Sequence, residues 1–238
     1  MKKHVALFSS VLMMSTTLLG AGSVFAASQS TDASPESAET PVQAVLELPE
    51  NGGTNPTPPT PPTNPDQPDP DNPGNKPNNP DGTFGIAYQP DIFNFGTVKL
   101  QESGEQVVTA TNPKGGTFHV GVKDKTREKQ GWTLKASLTG PLAEQEGVTI
   151  EFGTGTVKVN DEGTLKDAPE GTVTGEAKVV AGTAEGLVMT GQAGKIHNNV
   201  YDYDLGDVKL KLADAKKVQA ENYNGSSVHW HLEKAPNA

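Results

Sequence analysis

The stretch Gly131-Trp132-Thr133-Leu134 has a counterpart far along the chain, Val228-His229-Trp230-His231-Leu232, which shares its Trp-x-Leu pattern. These two segments contain both tryptophans of a chain in which aromatic residues make up only 5% of the composition. Aromatic side chains bury large apolar areas and dominate the energetics of cores and interfaces. The repeated pattern therefore marks two positions that organise the fold.

The residues around each tryptophan alternate between apolar and polar, which is typical of a β-strand with one buried face. The apolar members share the face of the tryptophan: Trp132, Leu134 and Ala136 in the first segment, and Val228, Trp230 and Leu232 in the second. The polar members take the opposite face: Thr133, Lys135, His229, His231 and Glu233. This parity predicts that each indole points into a core, where it would bury about 200 Å². The alternative is that the two indoles are exposed and stack on sugar rings.

Short apolar runs recur along residues 83–238, and turns that contain glycine separate many of them. The candidate strands are 84–88, 92–100, 106–111, 117–122, 131–138, 148–152, 156–159, 173–180, 186–190, 207–212 and 226–233. No segment keeps a helical period over three turns. The pattern predicts an all-β protein with a single β-sandwich or barrel-like domain.

The first part of the chain predicts export. Residues 1–26 have a basic start, an apolar stretch and a final Val24-Phe25-Ala26, which is typical of a secretory signal peptide cleaved after Ala26. Serine and threonine interrupt the apolar stretch, which is short of the roughly 20 residues that a membrane span needs. We therefore expect a secreted chain with no membrane span.

Composition divides the region between this signal and the main domain into three parts. Residues 27–40 are mostly small and polar and predict disorder. Residues 41–48 contain a partly alternating apolar run and predict one strand. Residues 49–82 are rich in Pro, Asp and Asn and predict an extended loop or spacer. One strand does not fold alone, so we expect it to dock on the β domain at 83–238, with the Pro-rich stretch as a long loop.

Charge and cysteine content restrict the partners. The chain has a net charge of -10, which becomes more negative when Lys2 and Lys3 leave with the signal, and it contains no cysteine. An acidic surface disfavours nucleic acid and anionic lipid as partners, and it would be repelled by polyanionic wall polymers. The absence of cysteine excludes disulfides and thiol chemistry, so the domain depends on its core for stability.

Further motifs accompany the two Trp-x-Leu segments. They are Ile92-Phe93-Asn94-Phe95-Gly96, Val122-x-Asp124 with Arg127, Tyr223-x-Gly225 and Pro236. In their order and spacing these motifs resemble those of the WxL family of cell-surface proteins, and the resemblance covers essentially the whole mature chain. One departure is His229, where the family usually has Thr, at a position that we expect to face away from the core.

The resemblance implies non-covalent attachment to the cell wall of a Gram-positive bacterium, with peptidoglycan as the ligand. It also implies partners among LPxTG-anchored proteins, WxL-interacting proteins and host matrix proteins. Two functions follow from it. One is a secreted surface protein that binds peptidoglycan, and the alternative is a structural subunit or adhesin that binds a partner protein or host extracellular matrix.

The candidate wall-binding or motif-defining residues come from these motifs: Trp132, Thr133, Leu134, Trp230, His231, Leu232, Asp124, Arg127 and Tyr223. Asp124 and Arg127 have two interpretations. They could form an ion pair that shapes the loop after a strand, or they could bind a ligand directly.

Other clusters predict no cofactor and no metal. His229 and His231 share a strand face but lack a third ligand. The run Tyr201-Asp202-Tyr203-Asp204-Leu205-Gly206-Asp207 has no EF-hand spacing, so it predicts a polar turn, with a calcium site as the alternative. No nucleophile or metalloprotease motif is present. The carboxylates alone single out no glycosidase pair, and we predict a protein that is not an enzyme.

Overall fold

A computed structural model of the chain describes residue 40 and residues 42–59, 74–113 and 116–235. The chain divides into two units, Met1–Leu46 and Glu47–Ala238. The described residues of the first unit have no regular secondary structure, and Val42, Val45 and Leu46 are exposed. The predicted signal peptide and the disordered segment at 27–40 lie outside the described residues, apart from Thr40.

The second unit contains fourteen strands within the described residues. They are β1 Asn75–Pro77, β2 Phe84–Pro90, β3 Gln106–Thr109, β4 Phe118–Asp124, β5 Trp132–Thr139, β6 Val148–Phe152, β7 Val157–Asp161, β8 Thr164–Asp167, β9 Val173–Gly175, β10 Val179–Ala181, β11 Gly186–Gly191, β12 Asn199–Gly206, β13 Lys209–Leu212 and β14 Ser227–Lys234. Only three short 3-10 turns accompany the strands in the described part of the chain.

The strands form three antiparallel sheets, none of which closes into a barrel. Sheet A has the order β1-β2-β4-β12-β7-β8, sheet B has β10-β6-β13-β3, and sheet C has β14-β5-β11-β9. The all-β prediction is confirmed, and the arrangement is consistent with a β-sandwich.

All three sheets contribute side chains to one hydrophobic core. Sheet A supplies alternate residues such as Tyr201, Tyr203 and Leu205 from β12, and sheet C supplies Trp132 and Leu134 from β5. Each of these side chains is at most 1% exposed. Burial of a large apolar side chain stabilises a fold by about 1.5–3 kcal/mol. The core therefore lies on the tryptophan face that strand parity predicts.

Two of the strands predicted within residues 83–238 are wrong. Residues 92–100 form no strand, because Gly96 has a left-handed φ of 63° and its N–H donates to Asn94 Oδ1 at 2.9 Å. This turn breaks the alternation, yet Phe93 and Phe95 still pack against the core from the loop. The predicted strand 173–180 is two strands, β9 and β10, which belong to different sheets.

The polar turn predicted at 201–207 is also wrong, because most of that run belongs to the central strand β12. Its tyrosines face the core, and Asp202 is 1% exposed on the other face of the sheet. Residues 42–48, for which the sequence predicts a strand, have no regular secondary structure. Those residues are exposed, and a single strand that buries no apolar face gains too little to be stable.

Candidate functional site

The two Trp-x-Leu segments lie side by side in sheet C. Strand β5 pairs with β14 in an antiparallel ladder in which Leu134 faces Leu232 and Trp230 faces Ala136. Six of the predicted site residues, the three from each motif, are therefore neighbours although they are far apart in sequence. Strand β14 is the edge of this sheet, so only one of its sides is hydrogen bonded within the sheet.

Trp132 is a core residue. Its side chain is 1% exposed, and its ring centroid lies 6.0 Å from that of Tyr201 and 6.2 Å from that of His197. Gly191 on β11 is its ladder partner, and the ring packs against the glycine backbone. No sugar ring has access to a tryptophan face that is covered in this way.

Trp230 is half-buried and packs against the core from the edge strand. Its ring centroid lies 5.7 Å from that of Phe152, at a tilt of 52°. Leu232 on the same strand is also half-buried, whereas Leu134 on the neighbouring strand is fully buried. The two motifs thus share one face but differ in their access to solvent.

The opposite face of the two strands is polar, and we call it the outer face of sheet C. It carries Thr133, Lys135, His231 and Glu233. Thr133 Oγ1 donates to Glu233 Oε1 at 3.2 Å, and Lys135 forms an ion pair with the same carboxylate. His231 Nδ1 lies 2.8 Å from Glu185 Oε1. The hydrogen bonds from Lys135 and Thr133, together with the lysine charge, hold the pKa of Glu233 below its usual range.

Among the described residues, no ion pair joins Asp124 to Arg127, although the sequence offers that pair as one of two interpretations. Asp124 is buried at the end of β4, and its Oδ1 accepts hydrogen bonds from the Thr126 hydroxyl at 2.7 Å and the Thr126 N–H at 3.2 Å. The carboxylate therefore shapes the loop through Thr126. Arg127 is exposed, has a left-handed φ of 57°, and donates its backbone N–H to His197 O at 2.9 Å.

Tyr223 lies in the turn that leads into β14. Its hydroxyl donates to Gln219 O at 2.7 Å, and its carbonyl accepts from the Ser226 N–H at 3.0 Å. Both contacts are local, and they indicate that Tyr223 positions the start of the edge strand. His229 and His231 have ring centroids 6.5 Å apart, and no group of three metal-ligating side chains occurs among the described residues.

Sequence reasoning missed a buried polar cluster on sheet A. Asp202 accepts a hydrogen bond from the Tyr88 hydroxyl at 2.7 Å and lies 2.9 Å from His119 Nδ1. Asn160 Nδ2 donates to the same Tyr88 hydroxyl at 3.1 Å. The alternation of Tyr201 and Tyr203 with aspartates was the signal that could have revealed this strand, because it places aromatic and acidic side chains on opposite faces.

His119 has two carboxylates close to its ring. Thr117 Oγ1 donates to Asp204 Oδ1 at 2.7 Å and lies 3.4 Å from His119 Nε2. His119 Nδ1 lies 2.9 Å from Asp202 Oδ2, so the carboxylate stabilises a proton on that nitrogen. Burial disfavours the charged ring, but the hydrogen bond to Asp202 and the charges of Asp202 and Asp204 outweigh it and raise the pKa of His119.

These features define a class of protein: a β-rich domain that is organised by paired Trp-x-Leu strands and has no recognised catalytic motif. A family model described as WxL domain, surface cell wall-binding, matches residues 33–236. The match covers nearly the whole chain, and the chain belongs to this family. It is accordingly a surface protein with a cell-wall-binding domain, and the family is not one of enzymes.

Searches of curated proteins and of solved structures found no match to this chain. Within the described residues, no helix is long and apolar enough to cross a membrane.

Proposed function

We propose that this chain is a secreted surface protein that attaches non-covalently to the peptidoglycan of a Gram-positive cell wall. The observation that carries the proposal is the wall-binding family match, which spans residues 33–236. The paired motif strands support it, because both lie within the matched residues. Attachment by a folded module needs neither a membrane span nor a covalent anchor.

The wall contact is assigned to the outer face of sheet C and the exposed side of β14. The buried indole of Trp132 leaves the motif's outward side chains, such as Thr133 and His231, as the accessible ones. Their hydroxyl and imidazole groups can hydrogen bond to the hydroxyl and acetamido groups of a glycan. Lys135 is paired with Glu233 and Glu185, so this face has little net attraction for polyanions.

The test is co-sedimentation of the mature chain with purified, protein-free peptidoglycan. We expect retention that does not fall as salt rises from low to physiological levels, because the acidic chain gains nothing from electrostatic attraction to the wall. Retention on intact cells but not on purified peptidoglycan would contradict the proposal. It would favour the alternative of a structural subunit or adhesin that binds a protein.

Two outer-face variants locate the contact. Thr133→Val and His231→Ala should each weaken peptidoglycan binding by about tenfold, the effect of one lost polar contact, while circular dichroism shows a retained fold. Lys209→Ala, on an exposed position of β13 in sheet B, is the matched control and should bind as the parent chain does. Unchanged binding by both outer-face variants would move the contact to another surface.

A further inference from the structure

A Pro-rich segment lies across the face of sheet A that points away from the core. We call residues 52–59 the strap, and Pro56, Pro58 and Pro59 within it are buried. The sequence predicts a solvated spacer here. The structure instead places these prolines against the protein, beside outward-facing residues of β4 and β7 such as Lys123 and Asn160.

Side-chain donors of the domain bind the backbone carbonyls of the strap. Asn160 Nδ2 donates to Thr57 O at 2.9 Å, and Asn75 Nδ2 donates to Pro59 O at 3.3 Å. Proline lacks an N–H, so a Pro-rich segment offers carbonyl acceptors and ring surfaces. Grooves that recognise extended Pro-rich peptides use this combination of carbonyl contacts and ring packing.

One contact makes the recognition specific for the strap sequence. Lys123 is fully buried, and its ammonium group donates to Asn55 Oδ1 at 2.8 Å. Asn55 Nδ2 in turn donates to Pro80 O at 3.3 Å. A buried ammonium without an oxygen partner is unfavourable, so the amide at position 55 stabilises the strap against this face of the sheet. A segment with another residue at that position would leave the ammonium without this partner.

We propose that this face of sheet A is a peptide-binding groove that accepts the strap of a second copy of this chain in place of its own. The exchanged strap makes the same contacts, so the two arrangements differ chiefly in how the strap is tethered. Residues 60–73 separate the strap from β1 in the sequence, so a chain's own strap competes as an intramolecular ligand with the straps of its neighbours. At high protein density on a surface, exchange between neighbouring copies competes with the closed form.

The first test vacates the groove. In the mature chain we replace the strap residues by Asn55→Ala, Pro56→Ser, Pro58→Ser and Pro59→Ser, and we check the fold by circular dichroism. A fluorescein-labelled peptide with the sequence of residues 50–60 should bind this variant saturably in fluorescence anisotropy. The same peptide carrying Asn55→Ala should bind at least tenfold more weakly, as should the unmodified peptide to the parent chain, whose groove is occupied.

The second test needs no vacated groove. The chain has no cysteine, so Glu50→Cys and Asp167→Cys each introduce one labelling site, the first beside the strap and the second fully exposed on β8. One population carries the donor dye at the first site, and another carries the acceptor at the second. Energy transfer should rise as the mixture is concentrated towards the millimolar range, and excess unlabelled strap peptide should abolish it.

Two results overturn the proposal. One is the absence of saturable peptide binding to a folded, strap-vacated variant. The other, which stands even if that variant does not fold, is the absence of concentration-dependent energy transfer between the labelled parent chains. Both results are independent of whether the chain is retained on peptidoglycan.

Discussion

Gly191 and Trp132 are directly paired in the β11–β5 ladder, and the indole ring lies over the glycine α-carbon. A methyl group at position 191 would come within 2.3 Å of the indole Nε1 and Cε2 atoms. Tyr88 lies over Gly121 on β4 in the same manner, with a closest approach of 2.4 Å. Glycine inside a strand weakens it unless the space is used, and here aromatic rings occupy that space.

Gly191→Ala should destabilise the domain by about 2 kcal/mol, because overpacking forces the indole or the strand to shift. Urea denaturation measures the change. Gly225→Ala is the control, because its added carbon would meet nothing closer than Pro141 at 3.8 Å. That variant should stay within about 0.5 kcal/mol of the parent. Equal losses of stability in the two variants would show that the contact between the added methyl group and the indole ring does not destabilise the domain.

The two tryptophans should differ in their effect on stability. Trp132→Ala removes a fully buried ring and should cost about 3–5 kcal/mol. Trp230→Ala removes a half-buried ring on an edge strand and should cost about 1–2 kcal/mol. Paired urea titrations measure the difference, and peptidoglycan binding should be lost only where folding is lost. A folded Trp132→Ala chain that no longer binds would assign that indole to the wall contact.

Alkaline pH should unfold the domain through its buried tyrosines. Burial raises the pKa of Tyr203 to about 12, and burial together with the charge and hydrogen bond of Asp202 raises that of Tyr88. A phenol in the unfolded chain ionises near pH 10, so its stabilisation is complete below about pH 10 and is lost as the pH rises towards 12. Ultraviolet titration of tyrosinate alongside circular dichroism should show late ionisation that coincides with unfolding.

The replacement Tyr203→Phe provides the control for this titration. It removes one group with a raised pKa, so its loss of stability above pH 10 should be shallower than that of the parent. An identical pH dependence in both chains would show that Tyr203 does not contribute.

His119 should make stability depend on pH near neutrality. Its pKa is raised in the folded chain, so its contribution is complete below the unfolded value of about 6.5 and falls as the pH rises through the folded value. Urea titrations across this range should show declining stability, and His119→Gln should flatten that part of the profile. A stability that increases over the same pH range in the parent, but not in the variant, would contradict a raised pKa of His119 in the folded chain.

Arg127→Gly should stabilise the loop after β4 by about 0.5 kcal/mol. The left-handed backbone at φ 57° costs a residue with a Cβ roughly 1–2 kcal/mol, and the greater freedom of glycine in the unfolded chain offsets part of that gain. Lys129→Gly, which lies nearby without a left-handed φ, should instead destabilise. Peptidoglycan binding measured on the same variants tests Arg127 as a ligand contact, because a folded variant with reduced binding would place it in the site.

Parity around the tryptophans could be predicted because alternation is a local property of one strand. The register that places Leu134 opposite Leu232 could not be, since pairing depends on both strands and on the turns between distant elements. The sequence also predicted a strand through Asn94, where an Asx contact with Gly96 forms a turn. Apolar alternation was present there, but turn chemistry decided the backbone.

The sequence predicted which residues belong to the candidate site, but it predicted only part of what each residue does. The motif residues are neighbours, yet Asp124 binds Thr126 and not Arg127, because a short hydrogen bond within the loop is available to it. The Asp202 cluster was missed because an acidic residue is rarely buried unless it has a partner. The partner of Asp202 is Tyr88, which lies too far away in sequence to be recognised as such. Proline content excluded regular structure in the strap but gave no measure of its burial.

The pairing of β5 with β14 also bears on how quickly the native state is reached. These two strands are distant along the chain, so their ladder forms only after a long loop has closed. The conformational entropy lost in that closure precedes the contacts that offset it, which is typical of slow-folding topologies. Until Ser227–Lys234 arrives, one side of β5 stays open to strands of other molecules, so chaperone protection or dilution should govern the yield of refolding.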